Sequence, residues 1–250
     1  MKRIELLGVL GGLGPASSAY LYELITARTK AACDQEHINM IISSHATTPD
    51  RTAFITGASD ESPLPTMISD ARRLEAYGAG AVVIACNTAH YFIDEVRRAV
   101  SVPVPSIITE TAAFARHCGY RTVSIMATPG TVAAGAYQSA LEALGVGYVL
   151  PDEAEQGELT SLIYDVVKAG KPFDPERFYA VARSLEKRGA EAHILGCTEL
   201  SVINSRLEHE ARFLDSTEVL AYTAIKLCGR EVTGFAPEFD GFVPDLGVKI

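Results

Sequence analysis

Two segments of the chain arrive at a cysteine in nearly the same way. Val82-Val83-Ile84-Ala85-Cys86-Asn87-Thr88 and Ala192-His193-Ile194-Leu195-Gly196-Cys197-Thr198 each pass from a short apolar run through a small residue to Cys, then to hydroxyl or amide side chains. A short apolar run followed by polar residues predicts a strand buried in a parallel sheet, here with a thiol at its C-terminal edge. Ligands of open α/β sheets bind at that edge. One such Cys reads as a small core residue. A repeated one, followed both times by polar residues, points to two acid–base groups facing one ligand.

The rest of the chain alternates between strand and helix patterns. Residues 4–10, 37–44, 81–85 and 104–108 read as strands, and so do 122–126, 147–150, 192–195 and 212–214. Helical spacing follows the turn Gly11-Gly12-Leu13-Gly14-Pro15 through Tyr20, Leu21, Leu24 and Ile25. It recurs over 66–77, 90–100, 109–118, 135–144, 159–168, 175–188 and 216–227, with an irregular stretch from Ser201. This alternation predicts parallel β/α units. The plan also repeats. Cys197 follows Cys86 by 111 residues, Thr128-Pro129-Gly130-Thr131 answers the glycine turn, and Ile108-Thr109-Glu110-Thr111-Ala112 resembles Asp215-Ser216-Thr217-Glu218-Val219. The predicted fold is α/β: two pseudo-symmetric, flavodoxin-like parallel-sheet lobes with the active site in the cleft between them. The first lobe would hold 1–115 and 215–250, its last helix packing back on it, and the second 116–214. The Pro and Gly of 235–250 read as an extended wrapping segment or a disordered one.

Composition narrows the function. With 48% apolar residues in 250, a sizeable core can form. A formal charge of −9, with Lys and Arg in no run longer than a pair, excludes nucleic acid as a partner. It does not exclude an anionic substrate, because local charge decides that. No apolar stretch reaches the ~20 residues of a membrane span, and 4–10 is no signal peptide, since it is short and contains Glu5. A cytoplasmic protein is expected, its five cysteines free thiols without C-x-x-C spacing. Asp34, Glu36 and His37 read as structural, so no metal is expected. The glycine turn lacks a Walker Lys and a full dinucleotide fingerprint, and no pyridoxal-type lysine set is evident. No cofactor is expected either.

Two opposed thiols suit inversion of a carbon acid: one thiolate removes a proton from one face, and the other thiol returns one to the opposite face. A free Cys, with pKa about 8.5, is only a few per cent thiolate at neutral pH. Helices opened by Asn87 or Thr88 and by Thr198 would lower that value.

Together, Gly11-Gly12-Leu13-Gly14-Pro15, Pro49-Asp50-Arg51-Thr52, Cys86-Asn87-Thr88-Ala89-His90 and Gly196-Cys197-Thr198-Glu199-Leu200 resemble the aspartate racemase branch of the aspartate/glutamate racemase superfamily. The order and spacing of the motifs carry the resemblance, over roughly residues 4–225. It implies a cofactor-independent racemase of acidic amino acids, commonly a homodimer, with Cys86 and Cys197 as the catalytic pair. Asn87, Thr88 and Thr198, with nearby backbone N–H groups, match positions holding the α-amino and α-carboxylate groups; Thr128 and Thr131 match the second-lobe turn that assists. Gly12 and Leu13 belong to the first-lobe turn. Arg51 and Lys168 match basic residues near the distal carboxylate, and Glu199 stands where it can orient or tune Cys197. His90 and His193 read as structural. The sequence departs from the family at Leu13, at Ser17-Ser18 and at Ala85, the first two beside the expected pocket, which leaves aspartate, glutamate or a broader range open. Other reactions of the superfamily (hydantoin racemisation, arylmalonate decarboxylation, maleate isomerisation) and non-catalytic amino-acid binding are the alternatives.

Overall fold

The computed structural model describes residues 4–207 and 212–235, so the expected wrapping tail lies outside the described residues, Phe235 apart. Two parallel sheets organise the chain. In the first, β1 (Leu6–Gly11) lies between β2 (Asn39–Ser44) and β3 (Ala81–Ile84). In the second, β4 (Thr122–Ala127) lies between β5 (Gly147–Val149) and β6 (Ala192–Gly196), with β7 (Phe213–Asp215) beyond β6.

The helices follow in chain order. Before β3 come α1 (Pro15–Arg28), α2 (Arg51–Ile55) and α3 (Leu64–Ala76). After it come α4 (Ile93–Ala99) and α5 (Ile107–His117). The second half holds α6 (Pro129–Ala134), α7 (Ala136–Ala143), α8 (Glu153–Ser161), α9 (Pro175–Lys187), α10 (Thr198–Asn204) and α11 (Ser216–Leu227).

Successive strand residues point to opposite faces, and that alternation sorts the cores. Leu7 and Val9 of β1, Ala81 and Val83 of β3, Val123 and Ile125 of β4, and Ala192 and Ile194 of β6 share one apolar core with α5 and α11. The opposite faces feed two further cores. Leu10, Val82, Ile84 and Cys86 pack with α3 and α4; Met126, Leu195 and Cys197 pack with Leu162, Phe178 and Leu185. Each thiol therefore continues the outward register of its strand past the C-terminal edge, Cys86 two residues beyond β3 and Cys197 one beyond β6. The last helix, α11, packs on α1 and α5, with Arg28 paired to Glu218 at 2.6 Å.

The expected strand at 104–108 does not form. Pro103 O accepts from Val82 N at 2.9 Å, as Arg212 O accepts from His193 N in the other sheet. Pro103 and Pro105 have no N–H to return, however, so no ladder grows, and α5 begins at Ile107. Three helix boundaries also differ. The stretch 90–100 divides into a 3-10 turn, Thr88–Phe92, and α4. The helix expected over 135–144 forms as α7, but a further helix, α6, precedes it, and Gly135, whose φ of 69° is left-handed, separates the two. Residues from Ser201, read as irregular, continue α10 to Asn204.

Ser106 and Asp215 cap α5 and α11 at matching places. Asp215 Oδ1 accepts from Thr217 N, Glu218 N and the Ser201 hydroxyl, at 2.9, 3.3 and 2.6 Å, while its buried Oδ2 has no partner. Burial, aided by Glu218, raises its pKa to about 6 against the pull of those hydrogen bonds. A carboxyl whose folded pKa is raised contributes stability at low pH and loses it as pH rises through the folded value. Wild-type protein should therefore lose on the order of 2–3 kcal/mol between about pH 4 and 6.5 relative to Asp215→Asn. Urea unfolding of both proteins across that window checks this; parallel stability–pH curves would contradict it.

Candidate active site

The carboxyl ends of both sheets meet at one narrow cavity of about 10 Å3, room for about one water molecule. Cys86 and Cys197 both line it, and both are buried free thiols. Of the residues named from sequence, Leu13, Arg51, Asn87, Thr88, Thr128, Lys168, Thr198 and Glu199 line it too. Gly12 and Thr131 do not line it; Thr131 is hydrogen-bonded to Thr88 and Thr128, which do. Sequence reasoning did not single out Asp50, Thr52 and Tyr164, which also line it. Asp50 and Thr52 flank Arg51. Tyr164 precedes Lys168 by four residues, a spacing that places two side chains together on a helix.

Local chemistry explains the first turn. Gly12 has a φ of 76°, and a Cβ there would lie 2.1 Å from His45 N, so only glycine fits. The Ser18 hydroxyl accepts from Gly12 N at 3.0 Å and donates to Gly14 O at 3.2 Å, closing the turn. Gly14 leaves room for Glu199, whose Oε1 would be 2.5 Å from a Cβ.

Cys86 follows β3 and leads into the 3-10 turn. Its carbonyl accepts from His90 Nδ1 at 2.8 Å, while His90 Nε2 accepts from Ile107 N at 3.1 Å. Those bonds specify one neutral tautomer, and burial holds the His90 pKa down at about 4. His90 thus joins the thiol-bearing turn to the start of α5. Both ends of the Asn87 amide are engaged: Tyr137 Oη donates to its oxygen at 2.6 Å, and its nitrogen donates to Ser216 Oγ at 3.0 Å. Thr88, Thr128 and Thr131 close a triangle of hydroxyls at 2.9, 2.9 and 3.0 Å, joining the two thiol-bearing halves.

Cys197 is the N-cap of α10. Its thiol donates to Glu199 Oε2 at 3.0 Å, and the Thr198 hydroxyl donates to the same oxygen at 3.3 Å. Burial pushes its pKa well above the ordinary value, and Glu199 pushes it further, against a smaller opposing effect of Lys168. The sequence-based expectation of a lowered value at this helix start is thereby reversed: removal from water and a neighbouring carboxylate outweigh one short helix. His193, which shares the strand face with Cys197, is satisfied by Ser124 Oγ at 2.7 Å and lies within 3.4 Å of Glu186, a structural role as expected.

The charged wall mixes signs. Arg51 is buried, and its terminal nitrogens donate to the carbonyls of Thr48, Pro49 and Leu13. Lys168 Nζ lies 3.9 Å from Asp50 Oδ2, 4.0 Å from Glu199 Oε1 and 4.4 Å from the Tyr164 ring centre. The segment that carries Tyr164 and leads to Lys168, Leu162–Val167, is a π-helix rather than the α-helix expected over 159–168. Its wider turn sets Lys168 N on Ile163 O, five residues back, and so decides which side chains reach the cavity. The described residues hold no cluster of metal-ligating side chains, and none of their helices is long and apolar enough to cross a membrane.

A two-sheet α/β fold thus brings two thiols to the lining of one cavity. The chain belongs to the Asp/Glu/Hydantoin racemase family, which it matches over residues 10–224. The broad specificity amino-acid racemase RacX of Bacillus subtilis is 26% identical over 88% of this chain and 96% of its own. Picrophilus torridus aspartate racemase superposes with a TM-score of 0.79 at 28% identity, covering 91% of this chain and 96% of that one. An aspartate racemase homologue from Pyrococcus horikoshii superposes at 0.72 and 28%, covering 90% and 100%. Glutamate racemase from Francisella tularensis, at 18% identity and 0.64 over 89% of this chain and 80% of that one, shares the fold.

Gly130 supplies a test of how tightly the cavity is built. A Cβ there would meet Thr52 Cα at 2.9 Å, so α6 and α2 touch across the site only because residue 130 is glycine. Gly130→Ala should cost ~1–3 kcal/mol, as overpacking does, and should lower turnover because Thr52 and Thr128 move apart. Gly157→Ala, in open space on α8, should cost nothing. Urea unfolding and racemisation assays on both variants decide; an unaffected Gly130→Ala would show a looser site.

Proposed function

We propose that the protein interconverts the L- and D-enantiomers of an acidic amino acid, aspartate or glutamate, by two-base proton transfer between Cys86 and Cys197. The observation that carries this is the pair of free, buried thiols lining one cavity from equivalent strand ends. In the resting state Cys197 holds its proton, as its hydrogen bond to Glu199 requires. Cys86 is then the group that takes the α-proton. As the Cα–H bond breaks, its electron pair delocalises into the α-carboxylate, and Cys197 delivers its proton to the opposite face. The reverse direction starts with Cys86 protonated and Cys197 as base.

Thr88 and Thr198 offer hydroxyl oxygens to the α-amino group, and Asn87, held by Tyr137 and Ser216, presents a fixed amide to the α-carboxylate. The Arg51 and Lys168 side of the cavity carries the positive charge for the distal carboxylate. Because the cavity has room for about one water, substrate entry requires its walls to part. The thiols carry both proton transfers, so no pyridoxal, nicotinamide or metal cofactor has a step to perform. The two sheets are proposed to act as two lobes, 1–115 with 215–250 and 116–214, in a cytoplasmic homodimer.

Purified protein incubated with L-Asp, L-Glu and several neutral amino acids, with the enantiomers then resolved, tests the reading. Cys86→Ser and Cys197→Ser should each reduce racemisation at least ~10²-fold, since a serine hydroxyl is too weak an acid to replace a thiol. Each variant should still exchange the α-hydrogen of one enantiomer with deuterium, and the two should prefer opposite enantiomers. Near-normal racemisation by either variant would leave a one-cysteine reaction as the better account.

A further inference from the structure

We propose that Ser17 is a positioning residue for Glu199: its hydroxyl and the first turn of α1 receive the Glu199 carboxylate when Cys197 becomes a thiolate. This rests on the racemase reading above and deepens it.

The need arises from the reaction itself. In the resting state Glu199 Oε2 accepts from the Cys197 thiol at 3.0 Å and from the Thr198 hydroxyl at 3.3 Å. When Cys197 gives its proton to the substrate Cα, the first of those donors is gone. A thiolate and a carboxylate are left face to face, and like charges that close repel strongly in a buried site. The carboxylate has then to take up a proton or to turn toward other donors.

The start of α1 supplies them. A Cβ on Gly14 would lie 2.5 Å from Glu199 Oε1 and 3.2 Å from Ser17 Oγ, so both oxygens border one small space. Gly14 is the N-cap of α1 and has no side chain to offer, and the first turn holds no acidic residue. Pro15 lacks an N–H, and Ser18 N donates to Gly14 O at 3.0 Å. The N–H groups of Ala16 and Ser17 are left for an acceptor from outside the helix. Ser17 is fully buried, yet its hydroxyl has no hydrogen-bond partner in the resting state. The neighbouring Ser18 hydroxyl, by contrast, is engaged by Gly12 N and Gly14 O. A buried hydroxyl left unpaired costs stability, and this one borders the space next to a carboxylate that has to move. A free hydroxyl at a helix N-terminus suits that carboxylate.

Ser17→Ala removes the hydroxyl and leaves the resting hydrogen bonds intact, so urea unfolding should show no loss of stability. A clear loss would mean that the hydroxyl is paired at rest, and would overturn the proposal. The charged and titratable groups facing Cys197 and Glu199 are Lys168, Arg51 on α2, Tyr137 and Tyr164. Ser17→Ala changes none of them. At about pH 8, where burial and Glu199 keep Cys197 a thiol, its alkylation by iodoacetamide follows the thiolate fraction. Peptide mass spectrometry should find that rate at least ~10-fold lower in Ser17→Ala, the size of one lost hydrogen bond to a charged group. The Cys86 rate should stay within about 3-fold. In racemisation assays kcat/KM should fall about 3- to 10-fold, by the same factor for both enantiomers. An unchanged Cys197 rate would mean that Glu199 stays in place and takes up a proton there, which overturns the proposal. So does an unchanged kcat/KM, or a rate that rises at both thiols, the mark of a merely loosened site. Absence of racemisation by wild-type protein would instead sink the racemase reading, and the alkylation rates would still decide where the carboxylate goes.

Discussion

Everything about this site depends on the two sheets sharing one core. Alternate residues of β1, β3, β4 and β6 face α5 and α11 in a single apolar cluster. Burial of that face, at about 25 cal/mol per Å2 of apolar surface, fixes the register of each strand, since a one-residue slip would turn the buried set outward. With Val83 and Ile194 committed inward, Cys86 and Cys197 have only the opposite face available. The same packing makes the two carboxyl edges meet, so thiols 111 residues apart in sequence come to line one cavity.

The backbone repeats, but the surroundings of the thiols do not. Cys197 donates to a carboxylate that also holds Thr198, whereas Cys86 has no such carboxylate bond and shares the cavity lining with a guanidinium fastened to three carbonyls. On the proposed reading this asymmetry gives the resting enzyme a defined proton location, on Cys197. The catalysed equilibrium itself is symmetric, because enantiomers have equal free energy in water. The asymmetry therefore sets which enantiomer meets the resting form, and the reverse reaction restores it.

Close approaches keep the cavity small. Gly12, Gly14 and Gly130 each stand where a side chain would strike His45, Glu199 or Thr52. The threonine triangle then bridges the two halves with hydrogen bonds that water would otherwise satisfy. A substrate larger than water must displace part of this contact. On the charged wall the Lys168 ammonium reaches its carboxylates only at 3.9 and 4.0 Å, beyond hydrogen-bond distance.

The sequence by itself determined the order of parallel β/α units, the internal repeat and the two strand-end thiols, because periodicity and glycine turns are local properties of the chain. It also placed Leu13, Arg51, Asn87, Thr88, Thr128, Lys168, Thr198 and Glu199, all of which reach the cavity, since each lies within or beside a recognisable motif except Lys168. Tertiary structure decided the rest. Two prolines left the first sheet without a fourth strand, because a ladder needs N–H donors in register with a neighbour. A π-turn, which a 3.6-residue period does not anticipate, carries Tyr164 and ends at Lys168. Most of all, packing decided the company each side chain keeps. Arg51 looked like a free fork for a carboxylate until the carbonyls of Thr48, Pro49 and, 38 residues away, Leu13 closed on it, and Cys197 looked like a thiol acidified by a helix until burial and Glu199 raised its pKa. Burial is set by neighbours far away in sequence, and it decides which of the nearby groups a side chain meets out of water, so no local pattern encodes the outcome.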